Sequence, residues 1–404
     1  MANWQAIAGG VTAPKGYRAA GVVAGLKASG QPDLALIVSD VPAIAAGVYT
    51  TSQVRAACVD YCRQRLQEKS TAQAIVCNAG QANAATGKQG WEAVRQTSRW
   101  IGEALGLDPH TVLIASTGVI GQQIPLDILH AAVPNLVQAL SPEGSAAAAK
   151  AIITTDLVTK SYALEAHIGD RPVRIGGIAK GSGMIHPNMA TMLAFITCDA
   201  AVSPHLWEEM LRRAVDRSFN QLTVDGDTST NDTVLALANG QSRTPSITEV
   251  GEAHDLLEAM LTEVCQALAK AIARDGEGAT TLIEVRVNGA KDNAAARQVA
   301  RTIAGSMLFK SAVFGRDPNW GRIAAAAGRA GVPFDAGQLD IQLGEFVLMR
   351  QGTPQPFDRS AASAYLRQDP VQLVVSLGQG QGSGLAWGCD LSYDYVKINA
   401  EYTT

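Results

Sequence analysis

The sequence has few of the features that mark membrane, nucleic-acid-binding or secreted proteins. No uninterrupted apolar run approaches the ~18 residues that a membrane helix needs, and the first residues do not form a basic segment followed by an apolar block. The formal net charge is −4, from 33 basic and 37 acidic residues, so no strong field attracts nucleic acid or an anionic membrane. We therefore expect a cytoplasmic protein with neither a nucleic-acid nor a membrane partner.

Metal-binding and nucleotide-binding motifs are also missing. The six histidines and six cysteines are dispersed along the chain, and no HExxH motif occurs. Cys58 and Cys62 could share a helix face, but two thiols without companions make a poor metal site. The glycines of 378–384 lack the GxGxxG spacing, and a flexible hairpin connection is the better interpretation. We expect no metal and reduced, mostly buried thiols.

The remaining composition is typical of a globular α/β protein. With 404 residues, of which 47% are hydrophobic and 17% charged, the chain can bury a large core in two or more domains. Apolar runs of strand length alternate with segments of helical period. The predicted strands are 33–39, 71–76, 111–115, 173–178 and 281–287. The predicted helices are 90–105, 142–153, 248–274 and 293–303.

The stretch 180–200, KGSGMIHPNMATMLAFITCDA, changes in composition at Thr191, from glycine-rich and polar to apolar. A glycine-punctuated approach with one cation leads to a turn at 187–188, and an apolar run follows Thr191. A hydroxyl residue therefore stands where a tight turn enters a core strand, behind the small Ala190. This order is suited to a threonine that cleaves the peptide bond before it and so becomes an N-terminal residue. Its Oγ would attack the carbonyl of Ala190, an N-to-O acyl shift would give an ester, and water would cleave it.

Such a cleavage would leave a hydroxyl and an α-amine on one residue. The amine has an unperturbed pKa of roughly 7.7–8.0, so it can serve as the general base that a threonine otherwise lacks. The spacing alone favours an ordinary alternative, in which Thr191 is a β-branched residue that begins a strand.

Other polar residues stand at the ends of predicted elements. The strand 111–115 leads to Thr117 and Gly118, which together offer a hydroxyl donor, an amide donor and an open approach to a tetrahedral oxyanion. A plain turn would use the same pair. Thr154 lies in a hydroxyl cluster that could cap a helix or bind a ligand. Glu277 stands between two glycines after the longest predicted helix, where a solvated helix end is the alternative.

Two further segments are polar for reasons that the residues alone leave open. The segment 223–233, TVDGDTSTNDT, contains three aspartates, but their spacing is not that of a calcium-binding EF-hand loop. We interpret it as structural support near the site. Near the C-terminus, Tyr395, Lys397, Asn399 and Glu401 alternate with other residues, and this pattern predicts a strand that stays ordered to the last residue.

These segments together resemble the glutamate N-acetyltransferase / ornithine acetyltransferase family of arginine biosynthesis. The likeness is long and gapless over KGSGMIHPNMATML. It continues in CNAGQANAATG, in KSAVFGRDPNWGR, which we expect to be a loop lining a cleft, and in the final INAEYTT. The resemblance covers essentially the whole chain in the family's order.

The resemblance implies a fold and an assembly. It implies the self-processing fold of N-terminal-nucleophile type, with layered mixed β-sheets between helices. The catalytic α/β core would cover 1–288, and a C-terminal α/β domain over 289–404 would close the site. Cleavage before Thr191 would give an α chain of 1–190 and a β chain of 191–404, which would assemble as an α2β2 heterotetramer.

The resemblance also assigns roles to residues of this sequence. It identifies Thr191 as the nucleophile, and Thr117 and Gly118 as the oxyanion hole. The residues that match the family's substrate-binding positions are Thr154, Lys180, Thr191, Glu277, Asn399 and Thr404. Lys180 would meet a substrate carboxylate and Glu277 a substrate ammonium. No cofactor is implied, and acetyl-CoA as a second acetyl donor stays open.

The implied reaction is ping-pong transfer of an acetyl group. N-acetylornithine would acetylate Thr191, ornithine would leave, and glutamate would collect the acetyl group. An alternative is an N-terminal-nucleophile amidase or aminopeptidase, in which water accepts the acyl group. A third possibility is a binding or scaffold protein without chemistry, which would remain a single uncleaved chain.

Overall fold

The computed structural model describes residues 4–186 and 192–401, and within these residues two β-sheets carry helices on their faces. The strands of the first sheet are β1 (Trp4–Ala6), β2 (Tyr17–Val22), β3 (Leu34–Tyr49), β4 (Thr71–Gln81), β5 (Val112–Val119), β6 (Lys160–Ile168), β7 (Arg171–Lys180), β8 (Leu193–Cys198) and β9 (Thr233–Ala238). The strands of the second sheet are β10 (Leu282–Ala290), β11 (Asp340–Leu343), β12 (Phe346–Arg350), β13 (Thr353–Pro354), β14 (Val371–Ser376) and β15 (Gly382–Cys389).

The helices follow the strands in a mixed order. They are α1 (Ala57–Glu68), α2 (Gly87–Leu105), α3 (Leu126–Gln138), α4 (Ser145–Ile152), α5 (Pro204–Asp216), α6 (Glu252–Arg274), α7 (Asn293–Ala304), α8 (Met307–Phe314), α9 (Trp320–Gly328), α10 (Arg359–Tyr365) and α11 (Tyr393–Glu401). Both sheets combine parallel and antiparallel pairs. The predicted α/β class with layered mixed sheets is confirmed. In the described part of the chain, no helix is both long and apolar enough to span a membrane.

Apolar composition explains the central strands of the first sheet. Every residue of β8 and β9 is buried, and the two strands pair in parallel with Leu193 opposite Thr233. A parallel pair needs apolar cover on both faces. Side chains of α5 and α6 belong to the same buried cluster as those of β8 and β9, so these helices supply part of that cover.

Strand β3 joins the two halves of the first sheet. Its first residues pair with β2 and β4, whereas 44–49 pair with β9. The register with β4 shifts between Val38 and Ala43, next to Pro42, and such an irregularity is where a strand tolerates proline. The strand therefore continues past the predicted end at residue 39.

The strand pairs place several predicted site residues at strand ends. β4 and β5 run in parallel, with Gly80 opposite Gly118 near the end of both strands. β7 is antiparallel to β8, so Lys180, the last residue of β7, lies opposite Leu193, the first residue of β8. Lys180 thus lies beside the chain that follows residues 187–191, which contain the predicted cleavage site and are called the processing segment below.

Three predictions about the C-terminal half are wrong. The alternating residues from Tyr395 form helix α11 rather than a strand, and the alternation also fits a helix because Asn399 follows Tyr395 by one turn. The polar run 310–322 contributes to α8 and α9 instead of a loop, since Asn319 caps the start of α9 by accepting from the amide of Arg322. The glycine run 378–384 is not a hairpin connection, because β10 lies between β14 and β15.

The second sheet begins earlier in the chain than the predicted boundary. β10 pairs with β14 and β15 over its length, and residues 288 and 289 lie inside it. The division into a catalytic core and a closing domain stays a prediction.

Candidate functional site

A cavity of about 260 Å³ lies where strands β5 and β7 end. Its lining combines residues from both sides of the processing segment, from the turn after α6 and from α11. Six predicted site residues line this cavity: Thr117, Gly118, Thr154, Lys180, Glu277 and Asn399. Ala190, Thr191 and Thr404 lie outside the described residues, so their placement stays a prediction.

Gly118 stands where two parallel strand ends come very close. Its φ is +128°, in the region that favours glycine. A Cβ at this position would lie 2.3 Å from the carbonyl carbon and oxygen of Gly80. In the predicted oxyanion pair Thr117 and Gly118, position 118 therefore requires glycine, because the backbone of the neighbouring strand β4 leaves no room for a side chain.

Lys180 connects two hydroxyl groups of the site. Its Nζ donates hydrogen bonds to Thr154 Oγ1 at 2.9 Å and to Thr117 Oγ1 at 3.3 Å. The side chain is largely buried, and Nζ lies 3.9 Å from Asp156 Oδ2. A buried cation beside two hydroxyls is suited to holding a carboxylate, and the role that the resemblance implies for Lys180 stays a prediction.

A buried ion cluster lies behind Lys180. Lys160 Nζ donates to Asp156 Oδ1 at 2.7 Å and to Asp275 Oδ2 at 2.6 Å. The amide of Gly181 donates to Asp156 Oδ1 at 2.7 Å. Burial alone would raise the pKa of Asp156, but the Lys180 and Lys160 cations and these hydrogen bonds lower it to about 2. Asp156 is thus ionised at neutral pH.

Glu277 is held on the other side of the cavity. Its amide donates to Ser182 O at 3.0 Å, and its Oε2 accepts from Asn399 Nδ2 at 2.8 Å. Gly183 leaves room for the carboxylate, because a Cβ there would lie 2.2 Å from Glu277 Oε2. A buried carboxylate with one amide partner is suited to an ammonium group, and the role that the resemblance implies for Glu277 stays a prediction.

The aspartates of 223–233 have different surroundings. Asp225 accepts from the amides of Met184 at 2.6 Å and Ile185 at 2.8 Å, so it supports the approach to the processing segment as predicted. Burial raises the pKa of the Asp225 carboxyl, although these amides oppose the shift. Asp225 and Asp227 also line the cavity. Among the described residues no group of three or more His, Cys, Asp or Glu could hold a metal ion.

Asn231 is a supporting residue that the sequence analysis missed. Its Nδ2 donates to Ala82 O at 2.6 Å and to Ser116 O at 2.7 Å. The second bond fixes the peptide group that precedes Thr117. No local pattern shows this role, since Asn231 and Ser116 are 115 positions apart in the chain.

His186 and the cysteines have other surroundings, although Asn231 Nδ2 also lies 4.0 Å from Cys58 Sγ. His186 Nδ1 lies 2.9 Å from Thr223 Oγ1, and burial lowers the pKa of its imidazole. All six cysteines are free and buried, which confirms the prediction of buried thiols. Burial raises the pKa of Cys77 to about 12, and such a thiol is a poor nucleophile.

Comparison with known proteins identifies the family. The model of the ArgJ family matches residues 18–404. The chain belongs to the ArgJ family. This confirms the resemblance that the motifs showed.

Similar relatives and a solved structure agree with this assignment. The arginine biosynthesis bifunctional protein ArgJ 1 of Nostoc sp. is 70% identical over 413 residues, which cover 100% of both chains. The arginine biosynthesis bifunctional protein ArgJ of Gloeobacter violaceus is 58% identical over 406 residues, which cover 100% of both chains. The crystal structure of the arginine biosynthesis bifunctional protein ArgJ from Bacillus halodurans matches with a TM-score of 0.52 and a sequence identity of 46%. The match covers 52% of the present chain and 100% of the Bacillus halodurans chain.

Proposed function

We propose that the protein transfers an acetyl group from N2-acetylornithine to glutamate through an acetyl-Thr191 intermediate, as an enzyme of arginine biosynthesis. One observation carries the proposal: a single cavity holds the Lys180–Thr154–Thr117 group and the Glu277–Asn399 pair. The names of the similar ArgJ relatives support the pathway.

The charges in the cavity match the backbone groups of an amino acid. Lys180 and Thr154 supply a cation and a hydroxyl for an α-carboxylate. Glu277 and Asn399 supply a carboxylate and an amide on the other side, where the α-nitrogen of the substrate would lie. The α-nitrogen carries the acetyl group in N-acetylornithine and accepts it in glutamate. Both half-reactions therefore use the same contacts.

The reaction would proceed in two balanced steps. In the first, the Thr191 α-amine takes the proton of its own Oγ, which attacks the acetyl carbonyl. Thr117 and Gly118 hold the oxyanion, and removing one such donor typically costs on the order of 10²–10³ in rate. The C–N bond breaks as the Thr191 ammonium gives this proton to the leaving nitrogen, and ornithine leaves as the free α-amine. In the second, the α-amine of glutamate attacks the ester and Thr191 recovers its proton.

Self-cleavage between Ala190 and Thr191 supplies the amine that this scheme needs. The assembly of the two fragments as an α2β2 heterotetramer, the location in the cytoplasm and acetyl-CoA as an additional donor are parts of the same proposal. The relative from Nostoc sp. is named a bifunctional protein, which indicates two activities. For the second activity we propose acetyl-CoA as the acetyl donor.

The test combines fragment sequencing with a transfer assay. We expect the purified protein to give two fragments, the larger of which begins at Thr191, and to form N-acetylglutamate from N-acetylornithine. Thr191→Ala should abolish both, whereas Thr191→Ser should retain part of each. An intact, active 404-residue chain would contradict the proposal. Acetate release that glutamate does not suppress would instead favour an amidase with water as acceptor.

A further inference from the structure

Lys27 is a half-buried lysine that bonds two backbone carbonyls behind the cavity. Its Nζ donates to Pro32 O and to Ile153 O, at 2.7 Å in each case. Pro32 belongs to the same connection between β2 and β3 as Lys27. Ile153 lies 126 positions further along the chain and directly precedes Thr154. The proposed reaction uses Thr154, but it gives no role to the lysine that reaches this segment.

The backbone at Lys27 is held by the carboxylate of Asp33. Asp33 is fully buried, and its two oxygens accept from the four successive amides of residues 24–27 at 2.5–3.1 Å. The carbonyl of Asp33 accepts from the amide of Ala79 in β4 at 2.7 Å. These bonds tie residues 24–27 to the first sheet, so the Lys27 side chain starts from a fixed position.

The carbonyl that Lys27 bonds and the amide of Thr154 belong to one peptide group. This amide donates to Asp156 Oδ2 at 3.1 Å. A cation therefore lies at the negative end of the peptide dipole and an anion at its positive end, and hydrogen bonds to ionised groups are stronger than neutral ones. The peptide group follows α4, which ends at Ile152. Connections of this kind are usually more mobile than the elements they join, but here both ends of the peptide group are fixed.

Fixing this peptide group also orients the hydroxyl of Thr154. A threonine side chain branches at Cβ and is restricted in χ1, so its direction depends on the backbone. Thr154 Oγ1 accepts from Lys180 Nζ at 2.9 Å, and both residues line the cavity. A rotated peptide group would move Oγ1 away from Lys180 and from the place of the substrate carboxylate.

We propose that Lys27 is a positioning residue that holds Thr154 in the orientation in which it binds the carboxylate of an amino-acid substrate. Lys27 does not line the cavity, and it acts through the peptide group between Ile153 and Thr154. The inference rests on the proposed function in one respect, namely that the cavity takes an amino acid. It predicts an effect on substrate binding and little effect on the chemical step.

The test is a double-mutant cycle of Lys27→Met and Thr154→Val, in which calorimetry measures the dissociation constant of ornithine. Lys27→Met should weaken ornithine binding about 3- to 10-fold, as for the loss of one hydrogen bond. It should raise KM for N-acetylornithine by a similar factor and leave kcat nearly unchanged. Thr154→Val should weaken binding at least as much. In that background Lys27→Met should have little further effect, because residues that act through one another are not additive.

Lys15→Met is the matched control. Lys15 is an exposed lysine in the connection before β2, and its replacement should leave ornithine binding unchanged in both backgrounds. If Lys27→Met does not fold, Lys27→Gln takes its place in the cycle, since glutamine keeps a donor and loses the charge.

Three results would overturn the inference. Equal weakening by the Lys27 variant in both backgrounds would show an effect that does not pass through Thr154. Unchanged binding in both would show no effect at all, and failure of both Lys27 variants to fold would show that Lys27 serves the fold instead. A wild type that binds ornithine and follows the cycle, but transfers no acetyl group, would refute the proposed function and leave this inference intact.

Discussion

Lys180 and Lys160 are both buried lysines, but they contribute differently to the site. Lys160 bonds two carboxylates at 2.7 and 2.6 Å, which compensate its charge. Lys180 bonds two neutral hydroxyls and lies 3.9 Å from a carboxylate that Lys160 already pairs with. Its positive charge is thus compensated less closely and faces the cavity. This difference supports the proposed role of Lys180 in binding a substrate carboxylate.

Replacing Lys180 by Met should weaken substrate binding more than chemistry. A hydrogen bond to a charged group contributes about 1.5–3 kcal/mol, so we expect KM for N-acetylornithine and glutamate to rise roughly 10- to 150-fold. Acetylation of Thr191 should remain detectable by mass measurement. Lys270→Met is the control, because Lys270 is half exposed and contacts Glu284 and the Trp387 ring away from the cavity. An unchanged KM in Lys180→Met would argue against the assigned role.

Gly183→Ala should displace the Glu277 carboxylate. The new Cβ would lie 2.2 Å from Oε2, and the carboxylate would lose its place beside Asn399. We expect KM for glutamate to rise about 10-fold or more, as for a lost hydrogen bond to a charged group, with little change in the melting temperature. Gly328→Ala in α9 is the control, because a Cβ there meets no atom within 4 Å. Steady-state kinetics and thermal unfolding of both variants decide between these outcomes.

At the scale of elements, the buried ion cluster ties two strands and a helix together. Lys160 begins β6, Asp275 follows α6, and Asp156 stands before β6 and bonds the amide after β7. Removing one partner of a buried ion pair leaves an uncompensated charge. The stability of the first sheet and the position of Lys180 therefore both depend on the carboxylate of Asp156.

Asp156→Asn should destabilise the protein by about 3–5 kcal/mol at pH 7, and the loss should depend on pH. The pKa of Asp156 is lowered from 3.8 to about 2 in the folded protein, so the unfolded chain binds more protons between these values. The stabilisation by ionised Asp156 is complete above about pH 5 and is lost as the pH falls through 2. Urea unfolding at pH 3 and pH 7 should show the difference between wild type and variant shrinking at the lower pH.

A control separates this effect from the general influence of acid. Asp40→Asn removes an exposed ion pair with Arg18, and exposed pairs contribute about 0–1 kcal/mol. Its stability should therefore follow the wild type at both pH values. An equal difference between wild type and Asp156→Asn at pH 3 and pH 7 would contradict the assigned ionisation.

Helix α11 offers a test at the level of a whole element. It buries none of its residues, and Asn399 on this helix bonds Glu277. A chain that ends at Ser392 should keep its melting temperature within a few degrees and lose most of its activity through a raised KM. Asn399→Ala in the full chain should reproduce part of the KM change. A large drop in melting temperature would show that α11 stabilises the fold instead.

The elements also show what the sequence could predict. Apolar runs such as 193–198 and 112–115 mark buried strands because these strands are apolar on both faces. Polar residues at the ends of these strands then meet in one cavity. The polar run around Asn319 resembled a loop because capping residues are also turn residues. The hydrogen bonds of Asn231 join distant segments, so no local pattern contains them.

At the scale of the molecule, the two sheets share a core. Trp387 and Cys389 of β15 and Leu282 of β10 belong to the same buried cluster as β8, β9 and α6. The amide of Thr223 donates to Trp387 O at 2.9 Å, and buried Lys310 donates to Val224 O. The segment that leads to Asp225 is therefore held by β15 and α8, and its Val224 packs in the cluster that includes β8 and β9 of the first sheet. We infer that the site and both sheets unfold together.

Trp387→Ala tests this coupling between the sheets. The side chain is fully buried, and its Nε1 donates to Glu284 Oε1 at 3.1 Å. Removing a buried tryptophan typically costs about 3–5 kcal/mol. We expect one calorimetric transition in both proteins, shifted to lower temperature in the variant, because loss of the shared core weakens both sheets at once. Trp100→Ala, at a half-buried ring that stacks on His130, is the control and should cost less. Two separated transitions in Trp387→Ala, with one unshifted, would mean that the second sheet unfolds on its own and that the segment before Asp225 depends on the first sheet alone.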